Sequence, residues 1–103
     1  ASLGGISTVE RPKYGVEGLP NQAPRYPYRS RANNEQGRVI LRVVVDRKGK
    51  PKEVSVLESS GYSRLYKAAR KAVKRWRFQP AQKDGHSIQG VVQVPINFVL
   101  DSS

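Results

Sequence analysis

The side chains able to do acid–base or covalent chemistry are few and scattered. His86 is the only histidine, and it lies in the Gly-containing stretch QKDGHS with no partner of suitable type at a recognisable spacing. It reads as a surface-loop histidine. Asp46 and Asp84 stand beside turn glycines or other turn residues, where aspartate is favoured because it bonds the local backbone. There is no Cys, so no thiolate serves as nucleophile or ligand and no disulfide staples the fold. No phosphate loop, metal-ligand cluster or nucleophile motif occurs. The expectation is a protein that is not an enzyme, with no catalytic residue, no metal and no cofactor.

Charge and backbone pairing are the chemistry that remains. Lys and Arg number 19 against 8 Asp and Glu, a net charge of +11 on 103 residues. Such a surface attracts polyanions or acidic partners without saying which. The stretch SGYSRLYKAARKAVKRWRFQP, Ser60 to Pro80, holds seven basic residues and no acidic one. Within it Leu65, Ala68, Ala69, Ala72, Val73 and Trp76 recur at helical spacing and form one apolar stripe. Ser63 is placed to cap that helix, and Pro80 is placed to stop it. Lys67, Arg70, Lys71 and Lys74 fall on the opposite face. A helix that grips nucleic acid would carry base-edge readers or stacking aromatics there, and the aromatic residue Trp76 lies on the apolar stripe instead. The basic run therefore reads as a solvated helix back that lends general positive potential. A basic nucleic-acid-binding module is the alternative function, and no nucleic acid is expected as partner.

The elements that position these residues follow from period and punctuation. Residues 1–24 mix Gly and Pro with isolated apolar residues and show neither helical nor strand period, so they read as a flexible linker. Pro27 suits the start of a short helix reaching about Asn34, with Gly37 breaking the chain after it. Arg38–Asp46 alternates Val39, Leu41, Val43 and Val45 on one face, RKGK supplies a turn with Gly49 left-handed, and PKEVSVLESS returns with Val54 and Val56. AQKDGHS is expected to be a loop. GVVQVPINFVL puts Val92, Val94, Ile96, Phe98 and Leu100 on one parity. The order is helix, strand, strand, helix, strand: an α+β fold with a small three-stranded antiparallel sheet and two helices packed on one face.

Pro95 sits in the middle of the last strand and has no N–H to give to a ladder, so that strand is expected at a sheet edge. An open edge is a template for an extended peptide. Val91, Gln93, Asn97 and Val99 face away from the helices and are placed to meet such a peptide. Another segment or a second chain covering the edge is the competing possibility. No stretch approaches the roughly 18 apolar residues of a membrane span. No signal-peptide pattern opens the chain, and the lack of Cys is compatible with cytoplasm or periplasm.

Taken in order, these pieces resemble the C-terminal domain of TonB, the periplasmic energy transducer of Gram-negative bacteria. The resemblance is carried by Tyr26-Pro27 with Ala32 and Gly37, the hairpin VVVDRKGKPKEVSV, Ser59-Ser60-Gly61-Tyr62, and Leu65 with Ala68, Ala69, Ala72 and Val73. Trp76-Arg77-Phe78 with Pro80 and the ending VPINFVL complete it, over about residues 24 to 100. It implies a linker at 1–24 and a TonB-like domain at 25–103, on the periplasmic side of an inner membrane whose single-pass anchor lies outside this sequence. It implies ExbB and ExbD as partners through that missing part, an outer-membrane transporter as partner of the domain, and peptidoglycan as a further possible contact. The proton motive force would be coupled to uptake of iron chelates, haem or similar nutrients, by a general TonB or a dedicated paralogue. In the family the transporter's TonB box pairs with the last strand. Carried over by position, that assigns Val91, Val92, Gln93, Val94, Pro95, Ile96, Asn97, Phe98 and Val99 to the box. Ala23, Pro24, Arg25, Tyr26, Pro27 and Arg29 are assigned to transporter contact. Two departures stand out. Ala23 precedes Pro24 where some members carry Gln, with Gln22 one place earlier, and Tyr66 replaces an acid frequent after the helix's first Leu.

Overall fold

A computed structural model describes residues 8–100. Along the chain, strand β1 (Val9–Glu10) is followed by helix α1 (Tyr28–Ala32), strands β2 (Gly37–Val45) and β3 (Pro51–Glu58), and helix α2 (Ser63–Val73). Two short strands, β4 (Ala81–Lys83) and β5 (His86–Ile88), precede the last strand, β6 (Gly90–Phe98). The fold class is α+β, with two helices and two three-stranded antiparallel sheets. The main sheet is the expected one, in the order β3-β2-β6.

Alternation on β2 does the central packing. Val39, Leu41, Val43 and Val45 are all fully buried, and register sets the last three between partners on both neighbouring strands, with Val39 opposite Ile96 of β6. Val43 lies between Val54 and Val92, and Leu41 between Val56 and Val94. These cross-strand rows form a continuous apolar face. Against it α2 lays Leu65, Ala69 and Val73, four residues apart along one helix face and each fully buried. The helix's Lys67, Arg70, Lys71 and Lys74 are exposed, as a solvated back requires.

The β2–β3 turn is closed by Asp46. Its Oδ1 accepts the backbone N–H of Lys48 and of Lys50, both at 2.9 Å. Gly49 is left-handed there, at φ 87°. Its carbonyl accepts the Phe78 N–H at 2.8 Å. An added Cβ at Gly49 would stand 2.1 Å from the Phe78 carbonyl oxygen. The turn is therefore glycine for two reasons, its own dihedral and the Phe78 backbone docked on it.

Three expectations need correction. Ser63 is the first residue of α2 rather than its cap: Tyr62 occupies the N-cap position and no side chain caps the helix. The serines act one step earlier, where Ser59 and Ser60 hydroxyls accept the N–H groups of Gly61 and Tyr62. The helix also ends at Val73 and is not stopped by Pro80. Arg75 and Trp76 donate to the carbonyls of Ala72 and Val73, a tightened i→i+3 turn, after which Arg77 and Phe78 donate to Pro20 and Gly49. Distant acceptors draw the chain off the helix axis before the proline is reached. Trp76 stays buried all the same, 6% exposed, beside Tyr14 and Phe78 at ring-centroid distances of 5.6 and 6.1 Å.

The third correction concerns AQKDGHS, which is a hairpin and not a loop. β4 and β5 pair around Asp84-Gly85, both at positive φ (51° and 82°), the combination a tight two-residue turn needs. β1 adds to β4 with Val9 opposite Lys83, and the Asp84 side chain accepts the Thr8 N–H at 3.0 Å. The second sheet is thus built on a segment in which no strand period is visible. Residues 1–7 of the expected linker lie outside the described residues. From Thr8 to Pro24 the chain meets the domain at β4, at Gln79 through Lys13, and at Arg77 through Asn21.

Two outcomes test this frame. Gly49→Ala forces a left-handed alanine, which costs about 1–2 kcal/mol, and also pushes on Phe78. A fall of at least about 5 °C in thermal midpoint by circular dichroism is expected. Asp46 is held below the ordinary carboxylate range by the Lys50 N–H first, against a smaller desolvation effect, with the Lys48 N–H and both lysine charges adding to the lowering. Its contribution is therefore present above the unfolded carboxyl pKa and is lost as pH falls through the lower folded value. Asp46→Asn should flatten the acid limb of a stability-against-pH curve and leave the neutral-to-basic limb parallel to wild type.

Candidate functional site

β6 pairs with β2 alone, so among the described residues its outer edge has no partner. The ladder runs unshifted from Gly37 opposite Phe98 to Val45 opposite Gly90 and passes Pro95 opposite Ile40 without a bulge. An unbroken antiparallel ladder tolerates proline only where the nitrogen points away from the partner strand. Residues of Pro95's parity, Val91, Gln93 and Asn97, then aim their N–H and C=O groups outward, and Val92, Val94, Ile96 and Phe98 bond inward to β2. Two flanking bonds agree: the Leu100 N–H donates inward to Gln36 Oε1 at 2.9 Å, and the Arg42 carbonyl, opposite Gln93, accepts Ser55 Oγ on the β3 side at 3.4 Å.

Side chains follow the same division. Val94 and Phe98 are buried, Val92 and Ile96 half-buried, and Val91, Gln93, Pro95, Asn97 and Val99 exposed. Charge separates the two edges of the sheet. β3 carries Lys52, Glu53 and Glu58, the kind of charge that blunts an edge, whereas Gly90–Val99 carries none. The edge of β6 is uncharged and open.

The second group of expected contact residues is divided by the structure. Tyr26 reaches β6: its ring meets Phe98 edge-on at a centroid distance of 5.4 Å, and its hydroxyl donates to the Glu35 carbonyl. Loss of hydration raises the phenol's pKa above the ordinary tyrosine value, and the Arg31 charge partly opposes this. Ala23, Arg25 and Pro27 instead border a cleft against α2, Pro24 is half-buried between them, and Arg29 is exposed on α1. Gln22, the residue displaced by one position, gives its carbonyl to Trp76 Nε1 at 2.7 Å. An ion pair between Glu35 and Arg64 at 3.3 Å ties the end of α1 to the start of α2, a pairing with no local sequence signal. His86 is exposed on β5. No group of three or more metal-ligating side chains gathers among the described residues. None of their helices is long and apolar enough to cross a membrane.

With this geometry in view, comparison with known proteins is specific. Residues 22–100 match the family model of the Gram-negative bacterial TonB protein C-terminal. The chain is 46% identical to protein tonB2 of Pseudomonas aeruginosa over 83 residues, which is 81% of the chain and 31% of that protein. It is 40% identical to protein TonB of Xanthomonas campestris over 78 residues, 76% of the chain and 35% of that protein. The solution structure of the Pseudomonas aeruginosa TonB C-terminal domain superposes with a TM-score of 0.71 at 21% identity, covering 88% of this chain and 95% of the other. That last likeness is one of fold. The chain belongs to the TonB C-terminal family, and it spans about a third of the length of these curated relatives.

The contact between Tyr26 and β6 is separable from the fold by substitution. Tyr26→Phe keeps the ring and loses one hydrogen bond, for a loss of about 1 kcal/mol. Tyr26→Ala also loses the aromatic pair, worth about 0.5–1.5 kcal/mol beyond area burial. Denaturant titration should rank wild type above Phe above Ala, and amide exchange at Phe98 should quicken in the Ala variant before it does at Val43.

Proposed function

We propose that β6 receives an extended segment of an outer-membrane transporter, its TonB box, as a fourth strand of the main sheet. One observation carries the reading: an uncharged edge strand whose unpaired backbone groups face outward around a proline, in a sheet whose opposite edge, β3, is charged. Pairing there uses the outward groups of Val91, Gln93 and Asn97, and the exposed side chains of the same parity meet the peptide's neighbours. Tyr26, Pro27 and Arg29 stand on the segment attached at the Phe98 end, which is the side from which the transporter's plug would be met.

A ladder of main-chain bonds loaded along its length resists pull without demanding one sequence, so one domain can serve several boxes. The rest of the protein supplies the inner-membrane anchor, works with ExbB and ExbD, and transmits the proton motive force through the tether whose last part runs to Pro24. The cargo is an iron chelate, haem or a similar nutrient. The domain acts in the periplasm, where its positive surface also faces peptidoglycan.

A titration of the 15N-labelled chain tests this with a synthetic TonB-box peptide in one arm and a short DNA duplex in the other. Shifts confined to Val91–Val99 and the Tyr26–Arg29 stretch are expected with peptide, with less than a threefold affinity change between 50 and 200 mM salt. Gln93→Pro, which removes an outward N–H and leaves the β2 ladder intact, should weaken peptide binding at least tenfold, and Gln93→Ala should not. Val94→Pro is uninformative because its N–H bonds inward. Shifts along Lys67, Arg70, Lys71 and Lys74 with DNA, lost steeply with salt and absent with peptide, would overturn the proposal.

A further inference from the structure

A second surface lies between the segment Pro20–Pro27 and α2, where an open cleft has a volume of about 450 Å³. Its floor is Ala68, Ala72 and Trp76, small or recessed residues, and its rim is three cations, Arg25 on one side and Lys71 and Arg75 on the other. All three are exposed. The single ion pair found among the described residues, Glu35–Arg64, involves none of them. Ala68 and Ala72 lie one helical turn apart, as do Lys71 and Arg75 in sequence, so the small residues open a trough that the long basic side chains flank.

The opposite wall offers backbone. Between Pro20 and Pro27 the chain follows neither helix nor strand, and the N–H and C=O groups of Ala23 and Arg25 make no hydrogen bond among the described residues. An apolar trough, unpaired main-chain groups and a ring of cations together define the complement. We infer that this cleft binds a short acidic peptide segment, one that places an apolar side chain on Ala68, Ala72 and Trp76 and carboxylates on Arg25, Lys71 and Arg75. Net charge alone would favour any polyanion, but shape selects among them. A membrane surface needs protruding apolar groups, and here they are recessed. Nucleic acid or glycan needs an open aromatic face, and Trp76 is only 6% exposed, with its Nε1 already given to Gln22. Peptide carboxylates on the two guanidinium groups and the ammonium group that rim the trough form charge-assisted bonds of the stronger kind. This inference is independent of strand addition at β6.

The probe is the doubly blocked pentapeptide Glu-Leu-Asp-Phe-Glu, titrated into the labelled 103-residue chain at physiological salt. Saturable shifts at Ala23, Arg25, Ala68, Lys71, Ala72, Arg75 and the Trp76 indole are expected, with Val91–Val99 unmoved and with silence from the Lys-Leu-Lys-Phe-Lys analogue. Arg75→Glu changes only an exposed rim charge and should weaken binding at least tenfold. Ala72→Leu fills the trough and should do the same, and both variants should keep wild-type dispersion elsewhere in the spectrum. Three results would overturn the inference: no localised shifts up to millimolar peptide, equal shifts along the whole basic back of α2, or the same cleft shifts produced by phosphatidylglycerol vesicles and not by the peptide. Movement of the Val91–Val99 amides with this peptide would also count against it, since the edge and not the cleft would then be the site.

Discussion

The ladder between β2 and β6 sets the direction of every backbone group on the outer edge, and so it sets what that edge can bind. Its register is fixed from both ends, by Gly37 opposite Phe98 and Val45 opposite Gly90. A slip of one residue would turn Val94 and Phe98 out to solvent and bring Gln93 and Asn97 into the core, a change no compensating contact could offset. It would also bring Pro95 to a position where β2 requires a donor. Hydrophobic packing and the proline therefore specify the same register independently. The face that buries and the edge that stays open are two consequences of one alignment.

A second set of long-range bonds holds the N-terminal segment. Trp76, Arg77 and Phe78 leave α2 and deliver an indole N–H to Gln22, a backbone N–H to Pro20 and another to Gly49. Asn21 returns the contact by donating to the Arg77 carbonyl at 2.8 Å. These bonds position Tyr26 over Phe98 and Arg25 opposite Lys71 and Arg75. Without the aromatic turn after α2, neither the segment beside β6 nor the wall of the cleft would have a fixed place.

What was legible in the sequence was whatever repeats. The β2–β3 hairpin, the apolar stripe from Leu65 to Val73, the Asp46–Gly49 turn and the parity of β6 all have period or turn chemistry, and the edge position of β6 followed from Pro95 alone. The failures are of another kind. The end of α2 was set by acceptors at Pro20 and Gly49, far away along the chain, and a proline downstream was a poorer guide than a lost helical partner. The β4–β5 hairpin did carry a signal, Asp84-Gly85, the strongest short-range mark of a tight hairpin. It was overshadowed because three-residue strands show no alternation. β1, two residues long, has no period at all. Of the candidate site, the edge position and the parity of β6 were readable, although the strand runs from Gly90 to Phe98 and leaves Val99 outside it, whereas the division of residues 22 to 27 between β6 and α2 depends on where two aromatic rings dock.

The two surfaces proposed for recognition would work by different physics. Backbone pairing at β6 involves groups with no net charge and tolerates many side chains, so it suits a partner whose sequence varies and whose extended form is constant. A cationic trough is more selective in chemistry and weakens as salt screens its rim. The +11 charge does not blur the two, because none of it lies on Gly90–Val99. They are joined by a short covalent span, from Gln22 held at Trp76 to Tyr26 held at Phe98. That span forms one wall of the trough and ends against β6. The contact that anchors the segment, Tyr26 on Phe98, is therefore also the point at which the residues that shape the cleft meet the end of β6.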